Sequence, residues 1–173
     1  MYLVTGGAGF IGSNIVRALV EKGQRVRVLD NFSAGRRENV LDFVDRIELV
    51  VGDLRELDSV REAVKGVDCI FHHGALSSVS ESIADPIGTN ESNVTGTLNV
   101  LAAAREMGVK RLVYAGSSSV YGDGEELPKY EDLKPRPKSP YALQKLTGEL
   151  YCKQYCELYG LSTVILRYFN VYG

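Results

Sequence analysis

Val4-Thr5-Gly6-Gly7-Ala8-Gly9-Phe10-Ile11-Gly12 is the stretch that decides the fold. A short apolar run, Tyr2 to Val4, leads into it, and an amphipathic run, Ile15 to Val20, leads out. That pattern is strand, glycine turn, helix, with glycines at 6, 9 and 12. Glycine serves where backbone takes unusual dihedrals or another group must come close. Such a turn aims free backbone N–H groups, at the positive end of a helix, towards one point, which suits a phosphate.

Working outward, Arg25 to Leu29 reads as the next strand and ends in Asp30. An acid at the end of the second strand is where a dinucleotide fold holds the adenosine ribose hydroxyls. Further strands are expected at Ile47–Val51, Cys69–His72, Arg111–Ala115 and Thr163–Leu166, after the first pair at Tyr2–Thr5 and Arg25–Leu29. Helices are expected at Phe10–Lys22, Val40–Phe43, Leu57–Val64, Ile87–Met107 and Pro140–Tyr159. Alternation of this kind implies an α/β architecture: a Rossmann-like, doubly wound parallel sheet with helices on both faces. The strands are continuous apolar runs, as expected where both faces are covered. Tyr121–Pro140, rich in glycine, proline and charge, reads as one long surface excursion, because the core pattern resumes after it.

The 173 residues form one expected domain, 1–173, long enough for a sizeable core. A net charge of -2 points to no nucleic-acid surface. No apolar run approaches the roughly 20 residues that span a bilayer, and the N-terminus reads as a core strand, not a signal peptide. Cys69, Cys152 and Cys156 are an odd count without metal spacing, so no metal is expected. Cys152 and Cys156 share a helix face, where a metal pair competes with plain packing. The cysteine pattern fits a reducing, cytoplasmic setting.

Ligands of such sheets bind at the carboxyl ends of the strands. Asp53, after the third strand, either caps the next helix or bonds the adenine amino group. His72 and His73 are adjacent, so they point to opposite sides of a strand and read as packed residues. Asn93, inside a helix, needs a partner, either a neighbouring backbone group or a cofactor. Tyr141 and Lys145 start the last helix four residues apart and share a face. A free phenol titrates near pH 10, and a nearby ammonium favours the phenolate. A hydroxyl from another strand end, with Ser117 the leading candidate, would complete a proton-transfer site.

The spacing G-x-x-G-x-x-G is wider than the commoner G-x-G-x-x-G and resembles the short-chain dehydrogenase/reductase superfamily. TGGAGFIG, DNFSAG, GDLRE, NVTGTLNVL, SSSVYG, SPYALQK and LRYFNVYG run in order over essentially the whole chain. Together they are similar to the NAD-dependent epimerase/dehydratase family, and most similar to its UDP-sugar 4-epimerases. GALSSVSESIADP and YGDGEELPKYED further resemble the UDP-N-acetylglucosamine 4-epimerase group. The resemblance implies NAD as cofactor. Gly6, Gly9, Phe10, Ile11 and Gly12 would hold the pyrophosphate, and Asp30, Asn31, Ser33 and Gly35 the adenosine ribose. Asp53 and Leu54 would flank adenine. Gly74, Ala75 and Asn93 would line the middle of the cofactor, and Tyr168 would lie near the nicotinamide. Tyr141 would be the base and Lys145 its partner, both also touching NAD. Ser117 would polarise the sugar hydroxyl that Tyr141 deprotonates, with Ser78 and Asn170 against the UDP-sugar substrate. Arg36 and Arg37 leave NADP as a competitor. The resemblance also implies a homodimer through the last two long helices, and a C-terminal substrate domain beyond Gly173, so that this portion alone turns over little.

The related 4,6-dehydratases carry an Asp-Glu pair after the catalytic hydroxyl residue, where this chain has Ser118 and Ser119. The related decarboxylases place a Glu at the position of Ser119. The chain also departs from the usual pattern at Gly116, normally a serine, and at His73-Gly74, normally an apolar-Ala pair. A non-catalytic dinucleotide-binding module is the competing expectation, although it would need none of Ser117, Tyr141 and Lys145.

Overall fold

The computed structural model describes residues 1–124 and 126–173; Glu125, within the Tyr121–Asp132 motif, lies outside the described residues. Six strands form one parallel sheet: β1 (Tyr2–Thr5), β2 (Val26–Asp30), β3 (Ile47–Val51), β4 (Cys69–His72), β5 (Arg111–Ser117) and β6 (Ser162–Tyr168). Their order is β3-β2-β1-β4-β5-β6. The winding reverses between β1 and β4, and a doubly wound sheet opens its cleft at that reversal.

Side chains alternate across β1, and the core divides accordingly. Val4 packs with Val16, Val20, Val26, Val28, Val40 and Phe43, under α1 (Phe10–Glu21) and a 3-10 run at Arg37–Arg46. Leu3 faces the other way, with Val60, Ile70, Val100, Leu101, Leu112, Tyr114 and Cys152. That second layer belongs to α2 (Leu57–Val64), α5 (Gly96–Glu106) and α6 (Pro140–Tyr159). Helices therefore cover both faces.

The expected strands are present, with β5 and β6 each longer at the carboxyl end. They stay paired as far as Ser117 and Tyr168, which carries both residues to the rim of the cleft. The expected helix Val40–Phe43 is part of the 3-10 run, which kinks at Phe43. A short helix, α3 (Val79–Ala84), was not expected. The expected single helix Ile87–Met107 consists of α4 (Pro86–Asn90), a π-helical turn at Glu91–Thr95, and α5. The Asp85 carboxylate caps α4 by accepting the Gly88 N–H at 2.9 Å. α6 begins as its sequence dictates: Ser139 accepts the Ala142 N–H at 3.1 Å, and Pro140 occupies the first turn, where its missing N–H costs nothing.

Candidate functional site

The glycine turn lies against the loop that follows β4. Gly6 has φ +66°, and a Cβ there would come within 2.7 Å of the Gly74 backbone. A Cβ on Gly12 would strike the Gly6 carbonyl at 2.1 Å. These two glycines are demanded by close backbone approach. At Gly9 a Cβ would meet the Gly6 carbonyl at 3.2 Å and otherwise open cleft. The first N–H groups of α1 have no partners within the helix, and Phe10, Ile11 and Gly12 line the cleft there. The turn therefore presents free donors, a positive helix end and an unobstructed approach, and a pyrophosphate fits it.

Asp30 is buried at the end of β2, and backbone donors orient it. Its Oδ2 accepts the Ala8 N–H at 2.9 Å, and its Oδ1 accepts the Phe32 N–H at 2.8 Å. Each oxygen keeps a further lone pair for a ribose hydroxyl. Asn31, Ser33, Gly35, Asp53, Leu54, Gly74 and Ala75 line the same part of the cleft. Asp53 is not the cap of α2, whose N-cap position is Glu56. Its carboxylate takes two side-chain bonds from Arg55, at 3.0 and 2.8 Å, and one from Asn31 at 2.9 Å. The Arg55 guanidinium holds its pKa down at about 2, against the opposing effect of burial.

The reactive end of the cleft gathers Ser117, Tyr141, Lys145, Tyr168 and Asn170 beside Gly6, Gly9 and Gly12. Ser117 Oγ accepts the Ser119 N–H at 3.2 Å and the Ser119 hydroxyl at 2.8 Å. Its own O–H is thus left as a donor, with the Tyr141 hydroxyl as its neighbour across the cleft. Burial raises the Tyr141 pKa, and the neighbouring Ser117 hydroxyl partly offsets this. Lys145 departs from the arrangement expected of it. Its Nζ donates to the Ala115 carbonyl at 2.9 Å and lies 6.0 Å from the centre of the Tyr141 ring. Burial pulls its pKa down to about 8. In this arrangement the lysine does not lower the phenol's pKa, because its ammonium is turned onto a strand-end carbonyl.

Asn93 and Ser78 serve the cleft indirectly. The π-helical turn swings the buried Asn93 amide onto the loop after β4. Oδ1 accepts the Leu76 N–H at 2.8 Å, and Nδ2 donates to the Leu76 carbonyl at 2.9 Å and to Gln144 Oε1 at 2.8 Å. Gln144 continues to Thr89 Oγ1 at 3.0 Å. Of the two partners expected for Asn93, the structure provides the neighbouring backbone. Ser78 caps α3 by accepting the Glu81 N–H at 3.1 Å, and Ser77 and Val79 form the cleft wall beside it.

His72 is packed as expected, and its partners fix its tautomer. Thr97 gives its hydroxyl proton to the Asn93 carbonyl, so it faces His72 Nε2 at 3.0 Å as an acceptor. Nε2 therefore carries the proton, and Nδ1 accepts from the Thr5 hydroxyl at 2.7 Å. Thr5 Oγ1 in turn accepts the Gly74 N–H at 3.1 Å. His73 is different: it is half-buried and lines both halves of the cleft. Its place just past a strand end was the signal for that, and the alternation along β4 hid it. Ser92 and Leu76 also line the cleft and carried no sequence signal. Gly116 has a structural reason. A Cβ there would press on Glu149 Oε1 at 3.0 Å, and Glu149 is buried in an ion pair with Arg167 at 2.9 Å.

Among the described residues no cluster of three or more His, Cys, Asp or Glu could hold a metal. Cys152 is buried while Cys156 is exposed, so the two do not form a pair site. No helix among the described residues is long and apolar enough to cross a membrane.

Comparison with known proteins agrees with this fold. The chain is 41% identical over its whole length to a protein of Methanocaldococcus jannaschii described as a putative UDP-glucose 4-epimerase, and spans 56% of it. The Thermus thermophilus UDP-glucose 4-epimerase, solved with NAD, superposes with a TM-score of 0.93 at 44% identity, over 99% of this chain and 56% of that one. The UDP-N-acetylglucosamine 4-epimerase of Methanobrevibacter ruminantium, solved with UDP-N-acetylmuramic acid, gives 0.94 at 40% identity, covering 99% and 55%. A dTDP-glucose 4,6-dehydratase double mutant from Streptomyces venezuelae, with NAD bound, gives 0.94 at 38% identity, covering 100% and 56%. The chain thus spans about half the length of the proteins it resembles. The family match runs over residues 2–173, with NAD as the family's cofactor, and the chain belongs to the NAD dependent epimerase/dehydratase family.

Proposed function

We propose that this chain is the NAD-binding portion of a UDP-sugar 4-epimerase, which interconverts a UDP-hexose at C4 through a 4-keto sugar. The observation that carries the reading is the convergence of Ser117, Tyr141 and Lys145 on one chamber beside the glycine turn. A module that merely bound a dinucleotide would have no need of Ser117 beside Tyr141. When bound, NAD supplies reversible hydride acceptance at C4. The Ser117 O–H polarises the sugar oxygen, and Tyr141 takes its proton. Lys145, with a pKa of about 8, supplies the cation that makes a phenolate tolerable once its ammonium leaves the Ala115 carbonyl. Ser118 and Ser119 stand where a dehydratase needs an acid and a base. Ser119 instead bonds Ser117, which favours simple epimerisation over loss of water.

The same reading places the protein in the cytoplasm, where its free cysteines stay reduced. It also makes the protein a homodimer. Leu143, Leu150 and Leu158 on α6, with Ile87 on α4, are each more than half exposed and would be covered by a second copy.

The chain is to be titrated with NADH by fluorescence, and assayed for C4 epimers of UDP-glucose and UDP-N-acetylglucosamine by NMR. Asp30→Ala is expected to weaken NADH by about tenfold or more, the scale of hydrogen bonds to a charged group, with its fold checked by circular dichroism. Tyr141→Phe is expected to keep NADH binding and abolish epimer formation. Absence of NADH binding would sink the cofactor reading. Binding without any epimer, in a protein that includes this chain, would leave only the binding module.

A further inference from the structure

His73 has no task in the chemistry described so far. The adenosine half of the cleft and its reactive half share Gly6, Gly9, Ala34, His73 and Ala75 as walls. Four of these five carry a methyl group or less. A ligand spanning both halves therefore passes a waist where His73 alone offers a directed side chain.

That side chain is committed to Tyr168. His73 Nε2 lies 3.1 Å from the Tyr168 hydroxyl, 95 residues further on, and the ring centroids are 5.7 Å apart. Tyr168 lines the reactive half together with Ser117, Tyr141 and Lys145. Burial pushes the His73 pKa down to about 4, opposed weakly by the Phe71 carbonyl and reinforced by the Lys145 charge. Nδ1 completes no hydrogen bond within the described residues, so the bond to Tyr168 is the one the ring makes. A neutral imidazole has one N–H and one lone pair. Burial also raises the Tyr168 pKa, so its hydroxyl keeps its proton and is able to donate or accept. With either nitrogen protonated, Nε2 and the Tyr168 hydroxyl make one hydrogen bond at 3.1 Å.

We propose that His73 is a positioning residue: by hydrogen-bonding the Tyr168 hydroxyl it fixes that ring at the waist of the cleft, and so sets how firmly the nicotinamide end of the dinucleotide is held. The inference rests on the cofactor reading above. Holding the ring before the ligand arrives removes an ordering cost from binding.

The test combines NADH titrations with imidazole NMR. His73→Leu and Tyr168→Phe are each expected to weaken NADH by about fivefold, the scale of one hydrogen bond. The double variant is expected to be no weaker than the worse single variant, because each removes the same bond. His73→Gln, whose amide can make the same hydrogen bond, is expected to stay within about twofold of the parent. The chain has just 2 histidines, so both sets of ring nitrogens can be assigned. Without any ligand, Tyr168→Phe is expected to shift the His73 nitrogens and leave those of His72 in place. Additive losses in a chain that binds NADH, or an unmoved His73 signal, overturn this proposal alone. A parent chain that binds no NADH overturns it together with the cofactor reading.

Discussion

Lys145 stands on the reactive face of α6 as a cation that its surroundings do not favour. It is 5% exposed, and among the described residues no carboxylate bonds it and its single hydrogen bond is to the Ala115 carbonyl. A fall from 10.5 to about 8 corresponds to a cost on the order of 3 kcal/mol below pH 8, and one carbonyl bond returns about 1. Lys145→Met, similar in volume, is therefore expected to raise stability by roughly 1–2 kcal/mol and, if the proposed epimerase reading holds, to abolish turnover in a protein that includes this chain. The sign follows from linkage. Between pH 8 and 10.5 the unfolded chain binds the proton that the folded chain has lost, so the parent gains stability as pH rises there. The advantage of the methionine variant is greatest below about pH 8 and shrinks above it; urea unfolding at pH 7 and 9.5 measures both. The pairing of Tyr141 with Lys145 was legible from a four-residue spacing on a helix. The direction of the ammonium was not, because it depends on a carbonyl 30 residues away.

At the scale of elements, α6 approaches β5 through Gly148. A Cβ there would lie 2.2 Å from the hydroxyl of the fully buried Tyr114. Alanine has the better helix propensity, by up to about 1 kcal/mol, but overpacking costs roughly 1–3. Gly148→Ala is expected to destabilise by about 1–2 kcal/mol in chemical denaturation, since Tyr114 has nowhere to move. The strands were legible nearly to the residue, because long apolar runs bounded by glycine and charge leave few choices. The division of Ile87–Met107 was not. A π-helical turn adds one residue, and the apolar spacing around Asn93 absorbs that slip without a visible break in pattern. The role of Asn93 was hidden for the same reason: its partners, Leu76 and Gln144, come from two other elements.

At the scale of the molecule, the order of the sheet sets the acid response. β4 lies inside the sheet and carries His72 into its interior, with His73 just beyond. Burial holds their pKa values at about 3 and about 4. Both lie below the unfolded value near 6.5, so the unfolded chain binds more protons as pH falls. Their contribution is complete above pH 6.5 and is lost progressively towards pH 4. Asp53, held at about 2 by Arg55, adds a loss of the same sign only below about pH 4. Unfolding midpoints at pH 7.5, 6 and 5 are expected to fall, by about 2 kcal/mol per histidine at pH 5. His72→Gln, whatever its starting stability, is expected to show a shallower slope. The parallel order itself was legible from the alternation of strands and helices, while the depth of His72 required knowing which strands flank β4. The π-helical turn also has a consequence for the whole molecule. One residue of helix is about 100° of rotation, so the extra residue at Glu91–Thr95 stores the angular phase between α4 and α5. Deleting it would let the helix close regularly and would turn Thr89 away from Gln144, or Val100 and Leu101 out of the core. A single-residue deletion there amounts to a change of gear between α4 and α5.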